Sequence, residues 1–84
     1  MKNVTVYTTT MCPYCTGAKA LLDKRGVTYE EINLSRDPDG RTKLREATGM
    51  ITFPQVLIDG QSIGGFTELR AADHSGALPT LLAD

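Results

Sequence analysis

The sequence predicts an α/β fold in which a mixed four-stranded sheet carries helices on both faces, and three observations lead to it. In the first half of the chain, strand-like segments rich in β-branched residues alternate with segments of helical periodicity. In the second half, two short apolar runs flank the dipeptide Asp59-Gly60, which suits a tight hairpin. The segments after the hairpin return to helical spacing. The predicted order is β-α-β-α-β-β-α with one short helix at the C-terminus.

The N-terminal part of the chain is predicted to form a β-α-β unit. Val4–Thr8 is rich in β-branched and aromatic residues, which favour a strand. Pro13 suits the first turn of a helix, where its missing N–H would lack an intrahelical partner anyway, and Gly26 can end that helix in a left-handed conformation. The alternating run 27–34 is the expected second strand. The apolar residues that this helix is expected to bury are Cys15, Ala18, Leu21 and Leu22.

A second helix is predicted between the β-α-β unit and the hairpin. Asp37 and Pro38 are typical of the N-cap and the first position of a helix, and Gly49 is typical of its end. The residues expected to be buried on this helix are Leu44 and Ala47.

The remaining elements are a hairpin and two helices. Gln55–Ile58 and the run 61–63 are the expected strands, joined by a type I′ turn because Asp59 and Gly60 both tolerate positive φ angles. The next helix is expected from about Phe66 or Thr67 to residue 72, and its inward residues would be Phe66, Leu69 and Ala72. The short last helix is indicated by Leu78, Leu81 and Leu82.

Composition limits the classes of function. The 84 residues are 40% hydrophobic and 23% charged, which fits one compact domain over residues 1–84. A net charge of −1 gives no basic surface for nucleic acid or an anionic membrane. The N-terminus lacks the apolar run of a signal peptide, so we expect a protein of the reducing cytoplasm, where a lasting structural disulfide is disfavoured. We also expect the protein to be a monomer.

Cys12-Pro13-Tyr14-Cys15 is the motif that carries chemistry. It falls where a strand gives way to a helix, so Cys12 would lie at the positive end of the helix dipole, which favours a thiolate. Cys15, one turn further in, would be shielded and would act as the resolving thiol. The alternative is half of a zinc site, but the chain has no other cysteine and His74 is its one histidine.

Three ordered segments of the chain resemble the glutaredoxin family. Residues 6–8, the Cys12–Cys15 motif and residues 18–22 together are similar to the opening of a dithiol glutaredoxin. Residues 52–58 are similar to the family's Thr-Val-Pro segment, and residues 63–69 to its Gly-Gly turn. The resemblance covers nearly the whole chain and implies a thioredoxin-like fold. Thioredoxin itself is disfavoured, because its motif resembles Trp-Cys-Gly-Pro-Cys and this chain has no Trp.

The resemblance implies reduction of protein disulfides and of glutathione mixed disulfides. Glutathione would be the reductant and co-substrate, with no permanently bound cofactor. The expected partners are glutathione, proteins with disulfides or glutathionylated thiols and, indirectly, glutathione reductase.

The resemblance also implies a glutathione-binding surface beside the thiols. Pro54 would be the family's cis-proline, which turns the Phe53 backbone toward an extended substrate. Backbone amides after Gly65 would hold the γ-glutamyl carboxylate. The residues that the resemblance assigns to glutathione are Tyr14, Thr52, Phe53, Pro54, Gly65, Phe66 and Thr67.

Two other functions share the motif. One is a redoxin fed by thioredoxin reductase, as in the electron donors of ribonucleotide reductase. The other is an iron–sulfur carrier, in which two chains and two glutathiones hold a cluster through Cys12. Pro13 and Tyr14 disfavour the carrier, because family members known for clusters usually have smaller residues there.

The chain departs from many family members at a cationic position near the motif. A lysine two residues ahead of the motif in many members is replaced here by Thr10 or Thr9. Lys43 and Arg45 could assist the glycine carboxylate of glutathione, although a solvated helix face is the default interpretation of both. Other side chains expected to serve packing rather than chemistry are Met11 and Met50.

Overall fold

The computed structural model describes all 84 residues, and its strands form one mixed sheet in the order β2-β1-β3-β4. Strand β1 pairs in parallel with β2 and antiparallel with β3, which pairs antiparallel with β4. The strands are β1 (Val4–Thr8), β2 (Glu30–Asn33), β3 (Gln55–Ile58) and β4 (Gln61–Gly64). The helices are α1 (Pro13–Lys24), α2 (Pro38–Thr48), α3 (Phe66–Ser75) and α4 (Leu78–Leu82). The predicted fold class and element order are confirmed.

Helices cover both faces of the sheet, and apolar side chains of the central strands pack against them on each face. The larger core cluster joins β1 and β3 to α1, α3 and α4, with Val6, Ala18 and Leu69 fully buried. The smaller cluster, Leu34, Leu44 and Leu57, lies on the other face under α2. The four residues of β3 are all buried, as expected for a strand with helices on both sides.

Local signals account for where the elements begin and end. Asp37 caps α2 by accepting a hydrogen bond from the Gly40 amide at 2.9 Å, and Gly49 ends it with a φ of +75°. Asp59 and Gly60 both have positive φ angles, 49° and 81°, and Ile58 pairs directly with Gln61. The predicted two-residue type I′ hairpin is therefore confirmed.

Four sequence-based expectations are corrected by the fold. The second strand covers only Glu30–Asn33. Val27 and Leu34 are buried, as their apolar character suggests, but they lie in the loops before and after the strand. Helix α3 runs on to Ser75, three residues past Ala72. Ala47 is exposed, since α2 meets the sheet chiefly through Leu44. Met11 is 95% exposed and packs against nothing in the core.

No helix of the structure combines the length and apolar character needed to cross a bilayer.

Candidate active site

Cys12 and Cys15 lie at the amino end of α1, with Pro13 in its first turn. Cys12 is the N-cap residue, with an extended backbone (φ −113°, ψ 100°), and its Sγ accepts a hydrogen bond from the Cys15 amide at 3.1 Å. The sulfur thus occupies the place of the oxygen that usually caps a helix. Both the amide and the helix dipole favour negative charge on the Cys12 sulfur.

The two cysteines form a disulfide, with 5.2 Å between their Cα atoms. The partners differ in exposure: Cys15 is 2% exposed, whereas Cys12 is half-buried at the surface. A thiol from outside can therefore reach the Cys12 sulfur more readily than the Cys15 sulfur. Geometry of this kind suits thiol–disulfide exchange, in which one exposed sulfur receives the attack and a shielded one leaves.

The loop before β3 borders the thiol pair. The Phe53–Pro54 peptide bond is cis, as the family resemblance implied, and the Phe53 carbonyl oxygen lies 3.7 Å from the Cys12 sulfur. Pro54 is buried, Phe53 half-buried and Thr52 exposed. The backbone beside Cys12 is thus held close to the place that an extended substrate would occupy.

Gln55 holds this loop in place, a role that sequence analysis missed. Its side chain is 1% exposed and its amide nitrogen donates to the carbonyl oxygens of Met50, at 3.1 Å, and Thr52, at 3.0 Å. Its amide oxygen accepts from the Thr48 hydroxyl at 2.8 Å. A glutamine opening the otherwise apolar run 55–58 was the available signal, because a buried amide needs several hydrogen bonds.

The amino end of α3 adjoins the same loop. Gly65 is its N-cap, and the Glu68 carboxylate accepts the Gly65 amide proton at 2.7 Å. A Cβ atom at Gly65 would stand 3.1 Å from the Pro54 carbonyl oxygen, so glycine lets the two segments meet. The amides of Phe66 and Thr67 belong to the first turn of α3, where amides have no intrahelical acceptor.

Two aromatic rings form one rim of the site. Tyr14 is 66% exposed, and its ring centroid lies 6.0 Å from that of Phe66. Phe66 in turn covers Gly17, where an added Cβ would approach its ring to 3.2 Å. Phe66 packs against the large core cluster, as predicted, and also supports Tyr14.

A polar cluster lies on the other side of the thiol pair. Lys19 of α1 donates to both carboxylate oxygens of Glu31 on β2, at 3.2 and 3.1 Å, and the Thr8 hydroxyl donates to Glu31 at 2.8 Å. These hydrogen bonds, the one from Thr8 above all, hold the pKa of Glu31 below its ordinary value. Lys19 is a second residue beside the thiols that sequence analysis did not identify.

The other candidate residues do not line the cavity beside the thiols. Lys43 and Arg45 are exposed on α2, and Arg45 lines a groove that includes Phe53. His74 is exposed in the last turn of α3. No three His, Cys, Asp or Glu side chains of the chain are grouped closely enough to hold a metal ion.

Comparison with known proteins gives consistent matches along the chain. The family model described as glutaredoxin matches residues 4–63. Glutaredoxin 3 of Escherichia coli (strain K12) is 43% identical over 82 residues, which cover 98% of this chain and 99% of that protein. The solution structure of glutaredoxin from Brucella melitensis superposes with a TM-score of 0.86 at 41% identity, covering 98% of this chain and 89% of that one. The crystal structure of a buckwheat glutaredoxin–glutathione complex superposes with a TM-score of 0.87 at 33% identity, covering 96% and 76%.

Proposed function

The chain belongs to the glutaredoxin family as a thiol–disulfide oxidoreductase of the dithiol type, and on that premise we propose that it uses glutathione to reduce protein disulfides and glutathione mixed disulfides. The observation that carries the proposal is the asymmetry of the thiol pair. Cys12 caps α1 and is reachable from solvent, and Cys15 lies buried one turn behind it.

The catalytic cycle follows from that asymmetry. The Cys12 thiolate attacks a substrate disulfide, forms a mixed disulfide and expels the other substrate sulfur as a thiolate. With a protein disulfide, the Cys15 thiolate then attacks the Cys12 sulfur, releases the second substrate thiolate and leaves the Cys12–Cys15 disulfide. One glutathione thiolate opens that disulfide at Cys12, and a second releases oxidised glutathione. Each exchange breaks one S–S bond, forms another and leaves one thiolate, so electrons balance.

We propose that glutathione binds between the cis-proline loop and the start of α3. The γ-glutamyl carboxylate would accept from the amides of Phe66 and Thr67, with Gly65 giving close access to the backbone. The loop residues Thr52, Phe53 and Pro54 would contact the extended tripeptide, and Tyr14 would border it. The buckwheat relative supports this proposal, since its crystal structure is that of a complex with glutathione.

The deciding experiment couples the protein to glutathione and glutathione reductase, with a small glutathione mixed disulfide as substrate. We expect NADPH consumption that depends on both the protein and glutathione. The matched arm replaces glutathione and its reductase with thioredoxin reductase. Turnover in that arm alone would overturn glutathione coupling and favour the redoxin function.

Serine variants test the two cysteine roles. Cys12→Ser should abolish every disulfide reduction, because only Cys12 is both exposed and activated by the helix end. Cys15→Ser should lose reduction of protein disulfides but keep reduction of glutathione mixed disulfides, since glutathione itself can resolve that intermediate. Substantial activity of Cys12→Ser in the reductase-coupled assay would refute this assignment.

A reducing compartment suits a reaction that glutathione drives. We propose one catalytic domain over residues 1–84, acting as a monomer in the cytoplasm, where glutathione keeps thiols reduced. Its protein partners would be those that carry disulfides or glutathionylated cysteines, with glutathione reductase acting indirectly.

A further inference from the structure

We propose that Lys19, anchored by Glu31, stabilises the Cys15 thiolate that is formed each time the Cys12–Cys15 disulfide is opened. The inference rests on the proposed function, in which Cys15 is the leaving and resolving sulfur. Lys19 lies outside the Cys-x-x-Cys motif and would act only in steps that involve Cys15.

One cavity brings these groups together. A cavity of about 470 Å³ beside the thiol pair is lined by Cys12, Cys15, Lys19 and Glu31, together with uncharged residues. Lys19 follows Cys15 by four residues on α1, so the two side chains occupy the same face of the helix. Lys19 and Glu31 are the only charged residues that line this cavity.

Glu31 holds the ammonium group of Lys19, and Thr8 holds Glu31 in turn. Both Glu31 oxygens accept hydrogen bonds from Lys19 Nζ, and Glu31 is itself bonded to the Thr8 hydroxyl of β1, a residue that is 1% exposed. An ammonium group has three N–H bonds, and Glu31 takes two of them. Lys19 Nζ has no other hydrogen-bond partner in the protein, so at least one N–H remains free, and Glu31 holds the flexible lysine stem on the side of α1 where the cavity is lined by both Lys19 and Cys15.

A positive charge should stabilise the thiolate of Cys15 more than that of Cys12. The Cys12 sulfur already receives the Cys15 amide and the helix end, whereas Cys15 is almost fully buried and its thiolate loses solvation by water. When a glutathione thiolate attacks Cys12, the S–S electron pair stays on the Cys15 sulfur as negative charge. That sulfur later takes a proton from water, and it must lose one again before it resolves the next mixed disulfide. A nearby cation lowers the free energy of this thiolate both when the disulfide is opened and when Cys15 loses its proton before resolution.

Other charged groups near Cys15 are engaged elsewhere or point into solvent. Among the elements packed against α1, α3 brings Glu68, which is bonded to the Gly65 amide, Asp73, which is bonded to Arg25, and the exposed Arg70 and His74. The remaining charged residues of α1 are Asp23 and Lys24, both exposed at its far end. Lys24 therefore provides a matched control for Lys19: the same residue type on the same helix, away from the thiols.

The test compares Lys19→Met, Lys19→Arg and Lys24→Met in two reactions. Reduction of an intramolecular disulfide in a peptide requires Cys15, whereas reduction of a glutathione mixed disulfide requires only Cys12. We expect Lys19→Met to slow the first reaction by about three- to tenfold and shift its pH profile to higher pH, as loss of one nearby cation should. The second reaction should be unchanged, Lys19→Arg should restore the first, and Lys24→Met should alter neither. Equal loss in both reactions, or no loss in the first, would overturn the proposal.

A second measurement does not depend on glutathione activity. In a Cys12→Ser background, the ultraviolet absorbance of the thiolate reports the titration of Cys15 directly. Adding Lys19→Met should raise the pKa of Cys15, and adding Lys24→Met should not. An unchanged Cys15 titration would overturn the role of Lys19, even where glutathione turnover is normal. A raised Cys15 pKa without glutathione turnover in the unmodified protein would overturn the proposed function alone.

Discussion

At the residue scale, Thr9 is an uncharged residue in the wall of the cavity beside the thiols. The cavity beside the thiols includes Thr9 and Thr10, and its one cation, Lys19, is paired with Glu31. An anionic tripeptide with two carboxylates would find amides for one of them at the start of α3. Thr9 and Thr10 stand near the place where many family members carry a lysine, and neither supplies a cation for the other carboxylate.

Thr9→Lys should therefore improve the reaction with glutathione mixed disulfides at low salt. A cation at a partly exposed position gains about 0.5–1 kcal/mol, so we expect roughly a two- to fivefold rise in kcat/KM. The gain should largely disappear near 0.5 M salt, where the Debye length is about 4 Å. Steady-state kinetics of both proteins across a salt series would check this. If kcat/KM does not rise, or rises equally at all salt concentrations, another cation already binds this carboxylate.

Met11 shows how the residue before the nucleophile can be exposed rather than packed. It has a φ of +58°, which is uncommon for a residue with a side chain, and is 95% exposed. This turn carries the chain from β1 into the cap of α1, and it directs Met11 away from the core. Local hydrophobicity alone predicted the opposite.

At the element scale, the Thr8–Glu31 hydrogen bond ties β1 to the neighbouring strand β2. It joins residues 23 positions apart in the chain, and Glu31 pairs with Val6 in the parallel register. Glu31 has a pKa below its ordinary value of 4.5 because of this bond first and Lys19 second. A carboxyl whose pKa is lowered in the folded protein stabilises the fold above its unfolded pKa, and that stabilisation is lost as pH falls through the folded pKa.

Thr8→Val should consequently lower Tm at neutral pH and have a smaller effect in acid. The hydroxyl is lost while the side-chain volume is nearly kept, so the missing donor to Glu31 is the main change. The difference in Tm should be full above about pH 5 and shrink as pH falls below the ordinary glutamate pKa. Thr5→Val on the same strand is the control, since its side chain makes no such bond. A Tm difference that is constant with pH would contradict the linkage to Glu31.

At the scale of the whole molecule, α4 closes the fold by bringing the two ends of the chain together. The Lys2 amide donates to the Leu82 carbonyl at 2.9 Å, and the N-terminal ammonium pairs with Asp84 at 2.8 Å. Leu78 and Leu82 enter the large core cluster, whereas Leu81 is 38% exposed. In a domain this small, two leucines are a sizeable part of the core.

Leu82→Ala should therefore be much more destabilising than Leu81→Ala. Truncating a buried leucine costs about 2–5 kcal/mol, and a short terminal helix can partly relax, so we expect about 2 kcal/mol and a fall in Tm of roughly 10 °C. The exposed neighbour should cost less than about 1 kcal/mol. Chemical denaturation and thermal scans of both variants would measure this. Equal losses would show that α4 does not dock through Leu82 as described.

Local sequence signals were sufficient to predict the order of the elements and the place of the motif. Signals carried by one or a few adjacent residues were sufficient for the capped start of α2 at Asp37, the hairpin at Asp59-Gly60 and the place of Cys12 at the start of a helix. They succeed because caps, turns and helix starts depend on backbone geometry within about one turn of the residue concerned.

The distant side chains that share the site are brought together by packing between elements, which no local signal specifies. Lys19 and Glu31 meet because β1 and β2 pair in parallel in one register, and a shift by one residue would turn Glu31 to the other face. Gln55 supports the cis-proline loop because that loop folds back over its strand. Ala47 stays exposed because α2 enters the smaller core cluster through Leu44. Such contacts depend on packing between elements, which periodicity along one segment does not specify.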